Sequence, residues 1–380
     1  MKRLFSAWAL FLAALLCLPA AWAELPVPAA PAIGAKSFIL VDYDSGRILA
    51  ERDADTPVEP ASITKLMTAY VLYDTMRAGK LKDTDSVTIS ERAWRMQGSK
   101  MFVEVGKQVT VNDLLKGMII QSGNDATVAL AEHVAGSEEA FVGYMNAAAK
   151  KLGMTRTHFQ NSTGWPAQEH YASARDIATL MAALIREFPD QYPRYSEKEY
   201  TWNNIRQHNR NRLLWRDASV DGGKTGHTES AGFCLVASAK RENMRLIAVV
   251  LGAQNDGART EQVQSLLNYG FRFFETVPLR KAGEKLAEPR VWKGEAQTVG
   301  VGLARDMAVT VPRGQADKIE VALDLPLKIE APLAAGQDMG RLIASVGGQP
   351  VAQAPVVALQ AVPEGGFFRR MTDSVILMFK

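Results

Sequence analysis

Cysteine is nearly absent from this 380-residue chain, which has only Cys17 and Cys234. A disulfide framework is thereby excluded. Histidine is scarce too: five scattered residues without ligand spacing, so no metal site is expected. There is no glycine-rich phosphate loop and no internal repeat, so no cofactor is expected. Neither charge sign is in excess, with 44 Lys and Arg against 41 Asp and Glu, a formal +3. That balance gives no basis for nucleic acid binding, which needs a strongly basic face. Long apolar runs are missing after the N-terminus, which excludes a polytopic membrane protein. What remains is ordinary: 47% apolar and 22% charged residues, the composition of a globular protein of two or three domains.

The first residues read as an export signal. Lys2 and Arg3 precede an apolar stretch from Leu4 to Leu18, and Ala21-Trp22-Ala23 supplies the small residues of a cleavage site. Residues 1–23 are therefore expected to be removed. The apolar run is short and broken by Pro19, which argues against an uncleaved anchor. Leu16 replaces the small residue that would precede a lipidated Cys17. Cleavage takes two of the 44 basic side chains, leaving 42 against 41 acidic ones. It also leaves Cys234 as the one thiol, within the apolar run Ala231 to Val236, where a buried core residue is expected. Residues 24–36 are rich in Pro and Ala and read as a linker.

The other end, residues 366–380, reads as an amphipathic helix. Phe367, Met371, Val375 and Met378 fall along one stripe, with Arg369, Arg370, Asp373 and Lys380 as the polar complement. Fourteen residues span about 21 Å, too short and too charged to cross a bilayer. Such a helix is expected to lie on a membrane surface, near anionic headgroups. The alternative is a terminal helix docked on its own protein.

Between the ends the pattern is strand, helix, strand. Phe38 to Val41 and Arg47 to Glu51 read as a pair of strands around Asp44-Ser45-Gly46. A helix is expected from Ala61 to Arg77, after Pro60 and before Gly79. Further helices are expected over 112–117 with Asn112 as N-cap, 124–134, 138–152 and 175–187. Strands return over 233–240 and 244–251 as a hairpin, followed by a helix from Thr260 to about Glu275. One antiparallel sheet built from both ends of residues 37–278 and flanked by helices satisfies this order, an α+β fold. Residues 288–362 carry short β-rich runs, among them 298–301, 308–311, 319–323, 327–330, 342–346 and 356–359. They read as a small all-β domain.

Three short motifs lie in the first of these domains. Ser62-Ile63-Thr64-Lys65 opens the first helix, and a Ser and a Lys three apart share a helical face. A neutral amine there can take the hydroxyl proton, and helix N-terminal N–H groups can face developing negative charge. Ser122-Gly123-Asn124 lies at a helix junction, where a hydroxyl and an amide can bridge a lysine and a bound peptide. Lys224-Thr225-Gly226 precedes the hairpin on an expected edge strand. There a Lys and a Thr can grip a carboxylate, and the glycine leaves room for a ligand beside the backbone. Each motif alone is weak; together and in this order they are specific.

A Ser-x-x-Lys, a Ser-Asp-Asn and a Lys-Thr-Gly element mark penicillin-binding proteins and class A β-lactamases. This chain resembles the low-molecular-mass penicillin-binding proteins of the serine D-alanyl-D-alanine carboxypeptidase family, which have Gly in the second motif, as here. The likeness runs from about Ser37 to the C-terminus. It includes Val220 to Thr228, with Gly223 where a larger apolar residue is common, and Gly270 to Thr276. The resemblance implies an exported enzyme on the periplasmic face of the inner membrane, a β-rich second domain and an amphipathic anchor. It also implies that Ser62 attacks the bond between two D-alanines of a peptidoglycan stem peptide, with Lys65 as base. Ser122, Asn124 and Lys224 complete the catalytic set, and β-lactams are implied as acylating inhibitors. The backbone N–H groups of Ser62 and His227 would form the oxyanion hole. Lys224, Thr225, Gly226, His227, Arg259 and Arg210 are the implied substrate contacts.

Three other activities compete. A class A β-lactamase needs a carboxylate that activates the deacylating water; the segment Phe159 to Trp165 instead looks like the carboxypeptidase element, and Glu169 reads as a surface charge. A DD-endopeptidase would cut cross-links with the same apparatus. A non-catalytic peptidoglycan-binding scaffold would be expected to have lost one of the motifs.

Overall fold

The structure, a computed structural model, describes residues 27–378. The expected signal peptide, and Cys17 with it, lies outside the described residues. At the centre is a five-stranded antiparallel sheet. Its strands are β1 (Ser37–Asp42), β2 (Ile48–Arg52), β3 (Val220–Thr228), β4 (Gly232–Arg241) and β5 (Met244–Ala253). They stand in the order β2-β1-β5-β4-β3, so β1 from one end of the domain pairs with β5 from the other, Leu40 opposite Ala248. The Lys-Thr-Gly motif sits on the edge strand β3, as expected.

The three inner strands, β1, β4 and β5, are buried on both faces, which is why they read as continuous apolar runs rather than alternating ones. Ile39, Cys234, Val236, Ile247 and Val249 point to one core. Phe38, Leu40, Leu235, Leu246, Ala248 and Val250 point to the other. The first core is built with helices α1 (Lys65–Arg77), α2 (Val111–Lys116), α3 (Asn124–Ala135), α4 (Glu138–Lys151) and α5 (Ala174–Glu187). The second is closed by α6 (Asp256–Phe273), through Val263, Leu266 and Leu267. Each fully buried aliphatic side chain contributes about 1.5–3 kcal/mol.

Several expected boundaries move for identifiable reasons. The first helix opens as a 3-10 turn, Ala61–Thr64, before the α-helix begins at Lys65. Thr110, not Asn112, caps α2: its hydroxyl accepts from the Asp113 N–H, a bond available only to the residue three positions earlier. Helix α6 begins at Asp256 rather than Thr260, because the Asn255 side chain caps the Ala258 N–H. Arg259 thus lies inside the first turn and is buried, 6% exposed. The 24–36 segment is not free where it is described: Ile33 and Ala35 are buried, and Tyr269 donates to the Pro28 carbonyl.

Beyond α6 the chain enters the β-rich domain. Phe274–Arg280 pairs with Met307–Pro312, and a second five-stranded sheet follows with its own core, including Val301, Val309, Leu342 and Val356. The run expected over 327–330 is strand only at Ile329–Glu330. Polar contacts tie this domain to the sheet above it. Thr276 Oγ1 donates to buried Asp42 Oδ2 at 2.7 Å, and Arg47 Nη1 donates to the Thr310 carbonyl. The last element is helix α7 (Phe367–Met378). No helix among the described residues is long and apolar enough to cross a membrane.

Candidate active site

Four chain segments meet at the outer edge of β3. Ser62 sits on the 3-10 turn before α1. Ser122 ends a wide π-type turn, Gly117–Gln121, and itself adopts a left-handed backbone, φ 66°. That conformation turns the chain sharply between α2 and α3 and delivers Asn124 as the first residue of α3. The loop from Phe159 to Trp165 brings a backbone carbonyl, and β3 brings Lys224. Together they line a cleft of about 370 Å³, with Trp165, Arg210 and His227 at its walls.

Lys65 is the hub. Its side chain is buried, and Nζ donates to Ser62 Oγ at 3.1 Å, Asn124 Oδ1 at 2.7 Å and the Thr163 carbonyl at 2.6 Å. These three acceptors match the three donors of an ammonium. Burial pushes the Lys65 pKa down to about 7; Arg210 adds to the shift, while Asp125 and Glu138 oppose it. Near neutral pH the amine therefore spends a large fraction of its time unprotonated, with its lone pair beside a hydroxyl. Lys224 is a second buried amine, donating to Ser122 Oγ at 2.9 Å and to the Thr225 carbonyl at 3.0 Å. Its pKa is also held low, by burial first and then by Lys65, Arg210 and Arg259. Two lysines and two serines thus form two hydrogen-bonded pairs facing one cleft.

Close backbone approaches fix these pairs. Gly226 passes so near the nucleophile turn that a Cβ there would lie 2.8 Å from the Pro60 carbonyl and 3.1 Å from the Ser62 nitrogen. Gly164 has φ +83°, and a Cβ on it would meet the Ala61 carbonyl at 1.8 Å. The Gly164→Ala variant is therefore expected to lose about 2–4 kcal/mol from backbone strain and overpacking. A urea midpoint equal to that of the unmodified protein would contradict this packing.

The two candidate arginines differ. Arg259 Nη1 donates to the carbonyls of Gly226 and Cys234, and Nη2 pairs with Asp256. Its Nε is buried without a partner. Arg210 is exposed, reaches the cleft, and has no hydrogen-bond or ion-pair partner among the described residues. Thr225 is buried against the cleft. His227 is exposed and stacks on Phe233, ring centroids 4.0 Å apart. Cys234 is fully buried, and burial pushes its thiol up to about 11, as suits a core residue. Among the described residues no carboxylate lines the cleft, and Glu169 is exposed.

Three supporting residues went unseen in the sequence. Buried Glu138 accepts from both the N–H and the hydroxyl of Ser162, at 2.9 and 2.6 Å, and pairs with Arg92. It anchors the loop whose next carbonyl receives Lys65. Asp125 accepts from the N–H groups of Met101, Phe102 and Val103 and so fixes the loop beside Ser99. His170 accepts from the Gln160 N–H at Nδ1 and bonds Thr64 through Nε2. Burial, then His158 and Lys65, push its pKa down to about 4, so it is neutral.

Comparison with known proteins identifies the family. A family profile described as D-alanyl-D-alanine carboxypeptidase, peptidase S11, matches residues 26–255. One described as the penicillin-binding protein 5 C-terminal domain matches residues 274–364. The D-alanyl-D-alanine carboxypeptidases DacA and DacC of Escherichia coli K12 are each 46% identical. The matches cover 93% and 95% of this chain, and 90% and 92% of those proteins. The crystal structure of penicillin-binding protein 5 from Haemophilus influenzae superposes with a TM-score of 0.85 at 42% identity, covering 89% of this chain and all of that one. The chain belongs to the serine D-alanyl-D-alanine carboxypeptidase family, in its penicillin-binding protein 5 branch.

Proposed function

We propose that Ser62 is the nucleophile of this carboxypeptidase and that its substrate is the peptidoglycan stem peptide ending in D-Ala-D-Ala. Ser62 Oγ attacks the penultimate D-Ala carbonyl while neutral Lys65 takes its proton. The carbon–nitrogen bond breaks. The departing amine receives a proton from Ser122, which is resupplied by Lys224, and the terminal D-Ala leaves. Water then hydrolyses the ester: its proton passes through Ser122 back to Lys224, and Lys65 returns its proton to Ser62 as the carboxylic acid leaves. The N–H groups of Ser62 and His227 stabilise the oxyanion; a donor of this kind is worth about 10²–10³ in rate.

The terminal carboxylate is received by Thr225 and Arg210. Arg210 is the cation in the cleft with its donors uncommitted, whereas Arg259 is engaged by Asp256 and two carbonyls. Arg259 therefore shapes the site and contributes its field. Lys224 supplies a further positive charge when protonated, and Gly226 leaves space for the peptide. Asn124 holds Lys65 and faces the bound chain.

The observation that carries this reading is the buried Lys65 amine beside Ser62, with its pKa near neutrality. The test is digestion of defined muropeptides by the purified protein and by Ser62→Ala. Loss of one D-Ala from pentapeptides, abolished in the variant, is the expected result. Cleavage of cross-linked dimers without that loss would make it an endopeptidase. Rapid turnover of penicillin would make it a β-lactamase, which the lack of a cleft carboxylate among the described residues argues against.

Helix α7 supports attachment to a membrane surface. It meets its own domain by a polar stripe: Arg369 donates to the Glu295 carbonyl, and buried Asp373 accepts from the Lys293 N–H. Phe367, Phe368, Met371, Val375 and Met378 all point outward. A helix docked on its own core would be turned the other way. With the export signal read at residues 1–23, the enzyme would work at the periplasmic face of the inner membrane as a peripheral protein.

A further inference from the structure

Apart from α7, the most exposed large apolar side chain among the described residues is Leu327, at 102%. It stands at the tip of the turn Leu325-Pro326-Leu327-Lys328, between the strands Ile319–Asp324 and Ile329–Glu330. An isolated exposed leucine is unremarkable by itself; its position gives this one meaning. Ile329–Glu330 pairs in parallel with Val291–Trp292, and Lys293 Nζ bonds Glu330 at 2.6 Å. That same segment is the seat of α7. Along the helix, Arg369 reaches Glu295, while Asp373, one turn later, reaches Lys293 and Arg290. The helix therefore runs antiparallel to both strands. Its C-terminal turn points to the end of the domain from which Leu327 emerges.

We propose that the Leu325–Lys328 turn is a second lipid contact, entering an anionic bilayer beside the outward face of α7. This rests on the membrane reading given above and specifies how the domain meets the bilayer. The occupant follows from charge as well as apolarity. Lys328 beside Leu327 and Arg369 on α7 have no acid bonded to them among the described residues, whereas Arg290 and Arg370 are paired with Asp373 and Glu364. The acids among them are largely engaged: Asp373 by Lys293 and Arg290, Glu330 by Lys293, and Glu364 by Arg370. Asp324 and Glu295 are exposed and unpaired among the described residues. Basic side chains around inserted Leu, Phe and Met side chains suit a surface of phosphatidylglycerol. A single helix leaves the protein free to roll about the helix axis; a second contact off that axis fixes its tilt, and with it the direction of the active-site cleft.

The test uses the chain starting at Glu24, in which the remaining thiol, Cys234, is buried. An environment-sensitive dye is placed at Leu327→Cys or, separately, at Met371→Cys. Vesicles of phosphatidylglycerol and phosphatidylethanolamine are added, with spin-labelled acyl chains as quenchers. Both dyes are expected to shift to the blue and to be quenched. A response at position 371 with none at 327 overturns this proposal and leaves the membrane reading standing. No response at either position overturns both. A blue shift at 327 that tracks protein concentration without vesicles assigns the turn to a second copy of the chain and also overturns the proposal. As a second measurement, Leu327→Asp is expected to weaken vesicle partitioning about tenfold, the worth of one buried leucine. Its D-Ala release from a soluble peptide should stay unchanged. Unaltered partitioning would contradict insertion.

Discussion

Replacement of Lys65 by alanine is expected to slow acylation of Ser62 by about 10²–10⁴, the usual worth of a positioned general base. Lys65 bonds Ser62, Asn124 and Thr163 at once, so its loss removes the base and also leaves two buried acceptors without a donor. Lys65→Arg separates the two effects. A guanidinium keeps the charge and the donors but does not deprotonate, so it restores much of the packing and none of the proton transfer. Both variants should acylate slowly, Lys65→Arg with donors for Asn124 and Thr163 but with a cation fixed where burial disfavours one. The pH profile of the unmodified enzyme gives the sign. Below about 7 the Lys65 amine is protonated and cannot accept the Ser62 proton, so kcat/KM should fall as pH drops through that value. A Lys65→Arg enzyme that acylates normally, or a kcat/KM flat from about pH 5 to about pH 8, would remove Lys65 from the role of base.

Loss of the second pair should be nearly as costly. Ser122→Ala leaves Lys65 and Ser62 in contact but cuts the path from Lys224 to the departing amine. D-Ala release is expected to drop about 10²-fold or more, in kcat rather than KM, because protonation of the leaving group is a transition-state event. The acid limb near pH 7 should stay in place, since it belongs to Lys65. A Ser122→Ala enzyme whose KM alone changes would assign Ser122 to peptide binding.

The parts of the site legible in the sequence are those held within a few residues. Ser62 and Lys65 share one helical turn, Ser122 and Asn124 flank one sharp bend, and Lys224 and Thr225 lie on one strand. Such geometry is dictated by local backbone, so residue spacing reports it. Glu138 was invisible because its partners are Ser162 and Arg92, 24 and 46 residues away. From the sequence it is one of two acids in a helix first turn, where acids are common for dipole reasons alone. His170 and Asp125 were hidden the same way, since each acts on a loop brought near by the fold. The two arginines were named only through the resemblance, which placed Arg259 ahead of Arg210. Which guanidinium is engaged depends on Asp256 and on the β3 and β4 carbonyls, not on the Arg residues' own neighbours in sequence.

The fold shows the same division. The inner sheet strands were found because apolar runs rich in β-branched residues admit few alternatives, whereas β3, with no such run, was placed by its Lys-Thr-Gly motif. Helix starts were displaced where capping decides them: Asn255 and Thr110 begin helices that apolar periodicity places later. Gly117 looked like a helix end, yet the chain continues through a wide turn to Ser122, and that turn sets the second motif. The outward face of α7 could not be read from amphipathicity, which states that a helix has two faces but not which one meets the body. Asp373, bonded to the Lys293 backbone, decides it.

In the proposed mechanism Ser62 carries the acyl group. The most direct measurement is intact-protein mass spectrometry after brief exposure to benzylpenicillin, followed by peptide mapping. One penicilloyl group per chain is expected, on the peptide containing Ser62, and none on Ser62→Ala. An adduct mapped to any other residue, or an unmodified Ser62 in active protein, would contradict it.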